Sequence, residues 1–214
     1  MNYQTELEKI INGLKGKPRL LLHACCGPCS SYVMEYLASV FDITILYYNP
    51  NIYPQAEYER RLQELKDFLP RFTPAVANNV KLVEMNYDPQ EFYNAIKVCE
   101  EPEMADDPEK GERCRRCYEF RLRKSYTYAA ENKFDYFCTS LSISPFKDSV
   151  KINVEGEKIA NENPEGPKWL YSDFKKKSGF LRSLEISEEY NLYRQQYCGC
   201  VYSTRTAVDE STVL

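Results

Sequence analysis

Short apolar runs alternate along this chain with segments whose apolar residues recur at helical spacing. Residues 19–23 (RLLLH) read as a buried strand, residues 43–48 and 81–85 as two more, and 136–139 as a fourth. Helical patterns fall between them at 30–39, 55–69, 90–98 and 114–132; in the second, Tyr58, Leu62, Leu65 and Leu69 share one face. Strands alternating with helices predict an α/β fold, a parallel sheet covered by helices on both faces. Beyond Ser144 the pattern weakens. Residues 148–161 and 187–197 read as helices, and 170–180 as a polar loop. No internal repeat, low-complexity stretch or clear linker interrupts the chain. The expectation is therefore a single α/β domain over 1–214, in which residues 1–16 form an N-terminal helix and residues 145–214 a helical extension completing the active site. Ligands of such sheets gather beyond the carboxyl ends of the strands, where the strand order reverses. The loop after the first strand, 24–29, is the first place to look for chemistry.

Composition narrows the picture. A chain of 214 residues can bury a full core without disulfide staples. Its first fourteen residues place Tyr3, Leu7, Ile10, Ile11 and Leu14 at helical spacing with charges between, which is neither a leader nor a span. The apolar run from Leu20 to Cys26 is too short to cross a bilayer. A cytoplasmic protein with no membrane partner is expected. Nine cysteines then need a reason, because a reducing cytosol disfavours structural disulfides. Seven of them fall in three tight groups, which random placement would not produce. The net charge of −4 argues against a globally basic nucleic-acid binder, so any RNA surface must be local.

The first group is His23-Ala24-Cys25-Cys26-Gly27-Pro28-Cys29. Cys-Gly-Pro-Cys between a strand and a helix is also the thioredoxin arrangement, and a thiol at a helix N-terminus becomes a better thiolate. The adjacent Cys25 discriminates: two neighbouring cysteines at a chain turn can both face one metal centre. Cys114 and Cys117, at a helix start, present two more sulfurs on one side. Four thiolates suit a [4Fe–4S] cluster or structural zinc. The long separation of the pairs is unlike a compact zinc ribbon. Arg113, Arg115 and Arg116 are the expected counter-charges. The third group is Cys198-Gly199-Cys200, where a disulfide across so few residues is strained and therefore labile. Cys99 and Cys138 stand alone, the latter as a small buried hydrophobe in the fourth strand.

Other residues carry weaker signals. His23 is the only histidine, and its ordinary reading is structural. Ser140 and Ser142, after the fourth strand, offer hydroxyls to a phosphate or sugar. Arg121 and Arg123, with Arg115, Arg116, Lys124, Tyr118 and Phe120 on the same helix and Lys175, Lys176 and Lys177 further on, are candidates for a phosphate backbone. The acidic stretch 100–109 reads as a mobile, solvated loop.

The set His-x-Cys-Cys-Gly-Pro-Cys, Cys114-Arg-x-Cys117-Tyr-x-x-Arg and Cys198-Gly-Cys200 resembles the QueH-type, cobalamin-independent epoxyqueuosine reductases. So do Tyr48-Asn49-Pro50-Asn51-Ile52, Glu57-Tyr58, Thr139-Ser140-Leu141 and Ser144-Pro145-Phe146-Lys147. The likeness covers roughly residues 17–203. It implies a HUP-type nucleotide-binding architecture and the reduction of epoxyqueuosine to queuosine at the wobble position of tRNA with a GUN anticodon, with an external electron donor. It implies a [4Fe–4S] cluster on Cys25, Cys26, Cys114 and Cys117 and a redox-active pair at Cys198 and Cys200. It also suggests a mononuclear iron beside the cluster, with Cys29 as a candidate ligand. Two readings compete: a thiol–disulfide oxidoreductase built on Cys26 and Cys29, and a zinc-stabilised RNA-binding module. Both predict a colourless protein.

Overall fold

A computed structural model describes residues 1–203 of the chain. Its elements, in order, are α1 (Tyr3–Gly13), β1 (Arg19–His23), α2 (Gly27–Leu37), β2 (Asp42–Tyr47), α3 (Gln55–Phe68), α4 (Thr73–Ala77), β3 (Lys81–Glu84), α5 (Pro89–Ile96), α6 (Glu112–Glu131), β4 (Tyr136–Thr139), α7 (Ser149–Asn161), β5 (Lys168–Trp169) and α8 (Gly179–Glu189). The five strands form one parallel sheet in the order β3-β2-β1-β4-β5. Leu20, Leu21 and Leu22 of β1, Ile43, Ile45 and Leu46 of β2 and Phe137 and Cys138 of β4 are fully buried. Such continuous apolar runs are what a sheet covered on both faces requires. Helices α2, α3, α4 and α8 pack together, and α5, α6 and α7 form the second packed group. No helix among the described residues is long and apolar enough to cross a membrane.

Chain order reverses between β1 and β4, so the loops after those two strands open onto the switch point of the sheet. The loop after β1 carries the first cysteine group. The one after β4 continues as the 3-10 turn Ser140–Ile143.

Four expectations change. A fifth, two-residue strand extends the sheet past β4, and α7 packs against it so closely that a Cβ on Gly156 would stand 2.3 Å from the Trp169 ring. The C-terminal helix is Gly179–Glu189, not 187–197; Asn191, at φ 51, breaks the helical path just beyond it. Residues 170–178 are no free polar loop, because Leu170, Ser172 and Phe174 are buried. In the acidic stretch, Pro102–Ala105 forms a 3-10 turn, anchored by Arg113 Nη1 donating to the carbonyls of Met104 and Ala105 at 2.7 and 3.0 Å. The final residues of the expected C-terminal extension, 204–214, lie outside the described residues.

Candidate metal and redox site

Cys26 is the N-cap of α2: its backbone is extended (φ −171, ψ 167) and its sulfur accepts the Cys29 amide at 3.4 Å. Gly27 and Pro28 fill the first two helical positions, where a missing N–H costs nothing. The turn leaves the Cys25 and Cys26 sulfurs 3.8 Å apart, and all three sulfurs of Cys25, Cys26 and Cys29 lie within 4.8 Å of one another. Such a group can hold a metal ion. The three share protons unequally. Hydrogen bonds from the Cys26 and Cys29 thiols hold Cys25 well below the ordinary thiol range, aided by the charges of Lys147 and Arg61. That bonded neighbour pushes Cys26 up to about 12 and Cys29 well above its usual value. Sequence reasoning expected the favoured thiolate at the helix start; the structure puts it one residue earlier.

Cys114 and Cys117 stand one turn apart in the first half of α6. Burial pushes Cys114 up to about 12, and the neighbouring Cys198 and Cys117 sulfurs push the same way. Cys117 is also raised, by burial first, with Arg121 opposing. The C-terminal cysteines come back to this place. Gly199 sits at φ +121, a conformation that side chains rarely adopt, and a Cβ there would meet Arg61 Nη1 at 2.9 Å. Arg61 Nη1 donates to the Cys198 carbonyl at 3.2 Å, and the Tyr53 amide donates to the Gly199 carbonyl at 2.8 Å. Cys200, pushed up to about 11 by burial and by Cys198, lies 3.6 Å from the Ser203 hydroxyl. Both C-terminal cysteines are free thiols.

Three cations lie among these sulfurs. Lys147 Nζ donates to Cys198 Sγ at 2.8 Å. Arg121 donates to the Cys117 carbonyl at 3.4 Å and toward Asn49 Oδ1 at 3.5 Å. Arg61 is 1% exposed and pairs with Glu57 at 2.7 Å. Arg121 and Lys147 are 2% and 8% exposed, and among the described residues neither meets a carboxylate. Burial alone would depress both, yet Cys117, Cys198 and Cys25 hold the Arg121 charge, and Cys198, Tyr118 and Cys25 that of Lys147. Buried cations persist only against compensating negative charge. Here the candidates are sulfurs from all three cysteine groups.

Beside them lies a cavity of about 430 Å³, walled in part by Cys25, Cys29, Lys147, Arg194, Gln195 and Cys198. Gln195 Nε2 donates to Cys26 Sγ at 3.2 Å, while its Oε1 is buried without a partner among the described residues.

Several expected roles move. Arg115 and Arg116 do not offset the sulfurs: Arg115 pairs with Glu112, Glu119 and Glu155, and Arg116 with Glu101 and Glu112. Arg121 is sealed within the protein and offers no outward charge to a phosphate. Arg123 is held by Glu119 at 3.1 Å and Glu162 at 2.7 Å. Lys175 and Lys177 are likewise paired, with Asp173 and Glu8. Ser140 and Ser142 are fully buried in their 3-10 turn. The Ser142 hydroxyl meets that of Ser172 at 3.1 Å, and the Ser140 hydroxyl has no partner among the described residues. Neither faces solvent as a phosphate site would. His23 is structural: its Nε2–H donates to the Tyr48 carbonyl at 3.0 Å, so Nδ1 accepts from the Thr139 hydroxyl at 2.8 Å. Burial, then the Arg121 charge, pushes its pKa down to about 4.

Sequence reasoning missed Arg61, Lys147 and Gln195. The only available signal for Arg61 was Glu57 four residues earlier on one helix face. Lys147 lay in a quoted motif, Ser144-Pro145-Phe146-Lys147, without a role.

The model of the family described as epoxyqueuosine reductase QueH matches residues 20–206. A protein of that name from Streptococcus pyogenes serotype M1 is 43% identical over 189 residues, 88% of this chain and 71% of its own length. One from Staphylococcus epidermidis is 39% identical over 206 residues, 95% of this chain and 84% of its own. One from Thermotoga maritima is 31% identical over 188 residues, 86% and 89% of the respective chains.

Proposed function

Because the chain belongs to the epoxyqueuosine reductase QueH family, we propose that it reduces epoxyqueuosine to queuosine at the wobble position of tRNA with a GUN anticodon. This would be the last step of queuosine synthesis, carried out in the cytoplasm. The reaction removes an epoxide oxygen: epoxide, two electrons and two protons become an alkene and water. The observation that carries the reading is the sealed pair Arg121 and Lys147, which face sulfur and no carboxylate among the described residues.

That charge pattern fits a thiolate-ligated [4Fe–4S] cluster on Cys25, Cys26, Cys114 and Cys117. When bound, the cluster supplies electron transfer one electron at a time. Cys198 and Cys200 supply the second store, since closing their disulfide releases two electrons and two protons. An external donor resets the pair. Cys29, the sulfur left over in the first group, is available to a second, mononuclear iron. The anticodon loop presents its wobble base unpaired, so no duplex has to open. The spacing of Cys25, Cys26 and Cys29 favours a second reading, a single metal ion on those three sulfurs.

Anaerobically purified protein is expected to be brown, with iron and inorganic sulfide, and to convert epoxyqueuosine in tRNA to queuosine under reducing conditions, read by nucleoside mass spectrometry. Replacing Cys198 or Cys200 by Ser should keep the visible absorbance and abolish turnover. Colourless protein containing stoichiometric zinc and yielding no queuosine would overturn this reading.

A further inference from the structure

The proposed reaction consumes two protons, and the cavity wall offers few groups able to deliver them. His23, the only histidine, is neutral and spent on Thr139 and Tyr48, away from the cavity wall. Arg194 donates to the Ser183 carbonyl at 3.3 Å and the Ser187 hydroxyl at 3.0 Å, and a guanidinium does not release its proton near neutral pH. The Tyr197 hydroxyl is turned to the Tyr53 carbonyl at 2.7 Å. Glu109 belongs to the acidic loop ahead of α6. Lys147 differs from all of these. It lines the cavity, is 8% exposed, has no carboxylate partner among the described residues, and contacts the sulfur of the C-terminal pair at 2.8 Å.

Resting on the reading above, we propose that Lys147 is the catalytic acid: it protonates the departing epoxide oxygen and is recharged by Cys198. The balance closes. As the carbon–oxygen bonds break, the oxygen takes one proton to become hydroxyl and a second to become water. The two electrons and two protons come from the Cys198 and Cys200 thiols as their sulfurs join in a disulfide. Epoxide plus two thiols thus gives alkene, water and one disulfide. An alkoxide is far more basic than a lysine amine, so the first transfer runs downhill even from an ammonium held by neighbouring sulfur. The Nζ–Sγ contact makes the second possible without solvent, because the proton lost by Cys198 has Lys147 as its immediate acceptor; the proton lost by Cys200 then restores the Lys147 ammonium, so the lysine ends as it began. General acids of this kind contribute about 10²–10⁴-fold to rate.

The test uses Lys147→Arg and Lys147→Gln. In metal-free protein, iodoacetamide labelling of Cys198 is followed by tandem mass spectrometry; this reads the ammonium–sulfur pairing without any turnover. Lys147→Gln should slow Cys198 labelling several-fold, while Lys147→Arg, which keeps the charge, should not. In iron-loaded protein both variants should lose turnover per bound iron by about 10²-fold or more, and Lys147→Arg, which keeps the charge, should retain the visible absorbance. Turnover of either variant within about threefold of the parent overturns the acid role. Wild-type labelling of Cys198 in Lys147→Gln overturns the pairing. Failure of the parent protein itself to make queuosine would sink the functional reading, and the labelling result would still decide the pairing.

Discussion

The inner and outer faces of α6 carry the same residue type under opposite conditions. Outside, Arg115, Arg116 and Arg123 each meet at least two glutamates, and their side chains keep between 17% and 41% of their exposure. Inside, Arg121 has no exposed surface to speak of and no carboxylate within reach among the described residues. An exposed arginine ringed by acids is already neutralised, and costs little to place. A buried one without acids is expensive unless an anion arrives from elsewhere. Along α6 the contrast separates scaffold from site: Arg115, Arg116 and Arg123 are compensated by glutamate and Arg113 is spent on the Met104 and Ala105 carbonyls, whereas Arg121 is left facing sulfur.

Removing Arg121 is the strongest way to break this contrast. In iron-loaded protein Arg121→Met should lower stability by about 3–5 kcal/mol, the cost of removing one partner of a buried charge pair. It should also lower bound iron per chain. Denaturant midpoints and iron analysis check both. A loss no larger than that of Arg123→Met would mean the inner charge is not paired with sulfur at all.

His23 sharpens the comparison from the other side, because the same interior that keeps Arg121 charged keeps His23 neutral. Its pKa is about 4 in the folded protein, against about 6.5 unfolded. The unfolded chain therefore binds the extra proton in that interval. The stability His23 contributes is full above about 6.5 and lost as pH falls through about 4, roughly 3 kcal/mol in all. Urea titrations of metal-free protein across that window should show the decline, and Arg121→Met should raise the His23 pKa seen by NMR. A flat stability between those pH values would contradict the buried, singly protonated imidazole.

Gly199→Ala tests how the third cysteine group is seated against the inner cations. The new Cβ would have to displace Arg61 Nη1, 2.9 Å away, and Ile52, 3.2 Å away, at a backbone angle that alanine tolerates poorly. A destabilisation of about 1–3 kcal/mol is expected by denaturant titration. No measurable change would mean that Cys198 and Cys200 are not held down by Arg61.

These residues also show what could be read in advance. The four longer strands were legible because burial on both faces leaves uninterrupted apolar runs such as Leu20–Leu22. Strand β5 was not, since two residues have no period. Helix α8 was misplaced because Lys175, Lys176 and Lys177 mask its start, while the tyrosines from Tyr190 to Tyr197 imitate a helical face that Asn191, at φ 51, interrupts. The cysteine groups announced themselves by spacing, which is local. The cations did not. Whether an arginine on α6 points at glutamate or at sulfur depends on how α6 rotates against β1, and residue type carries no trace of that. Arg121 and Arg123, two positions apart, were indistinguishable as letters.

The smallest expected effect falls on that outer neighbour. Arg123 is bonded to Glu119 and Glu162, with side-chain exposures of 41%, 23% and 48%. Pairs in such solvent contribute about 0.2–1 kcal/mol, so Arg123→Gln should shift stability by less than 1 kcal/mol. Its consequence for tRNA follows from the same bonds. A guanidinium can neutralise a phosphate only by leaving its glutamates, and the exchange of one anion for another gains little. The slope of log affinity against log salt should therefore stay the same in Arg123→Gln, whereas loss of a true phosphate contact reduces it by about 1. A reduced slope would show that the outer face opens to RNA, and the division between compensated surface and uncompensated interior would then fail on the side where it now looks safest.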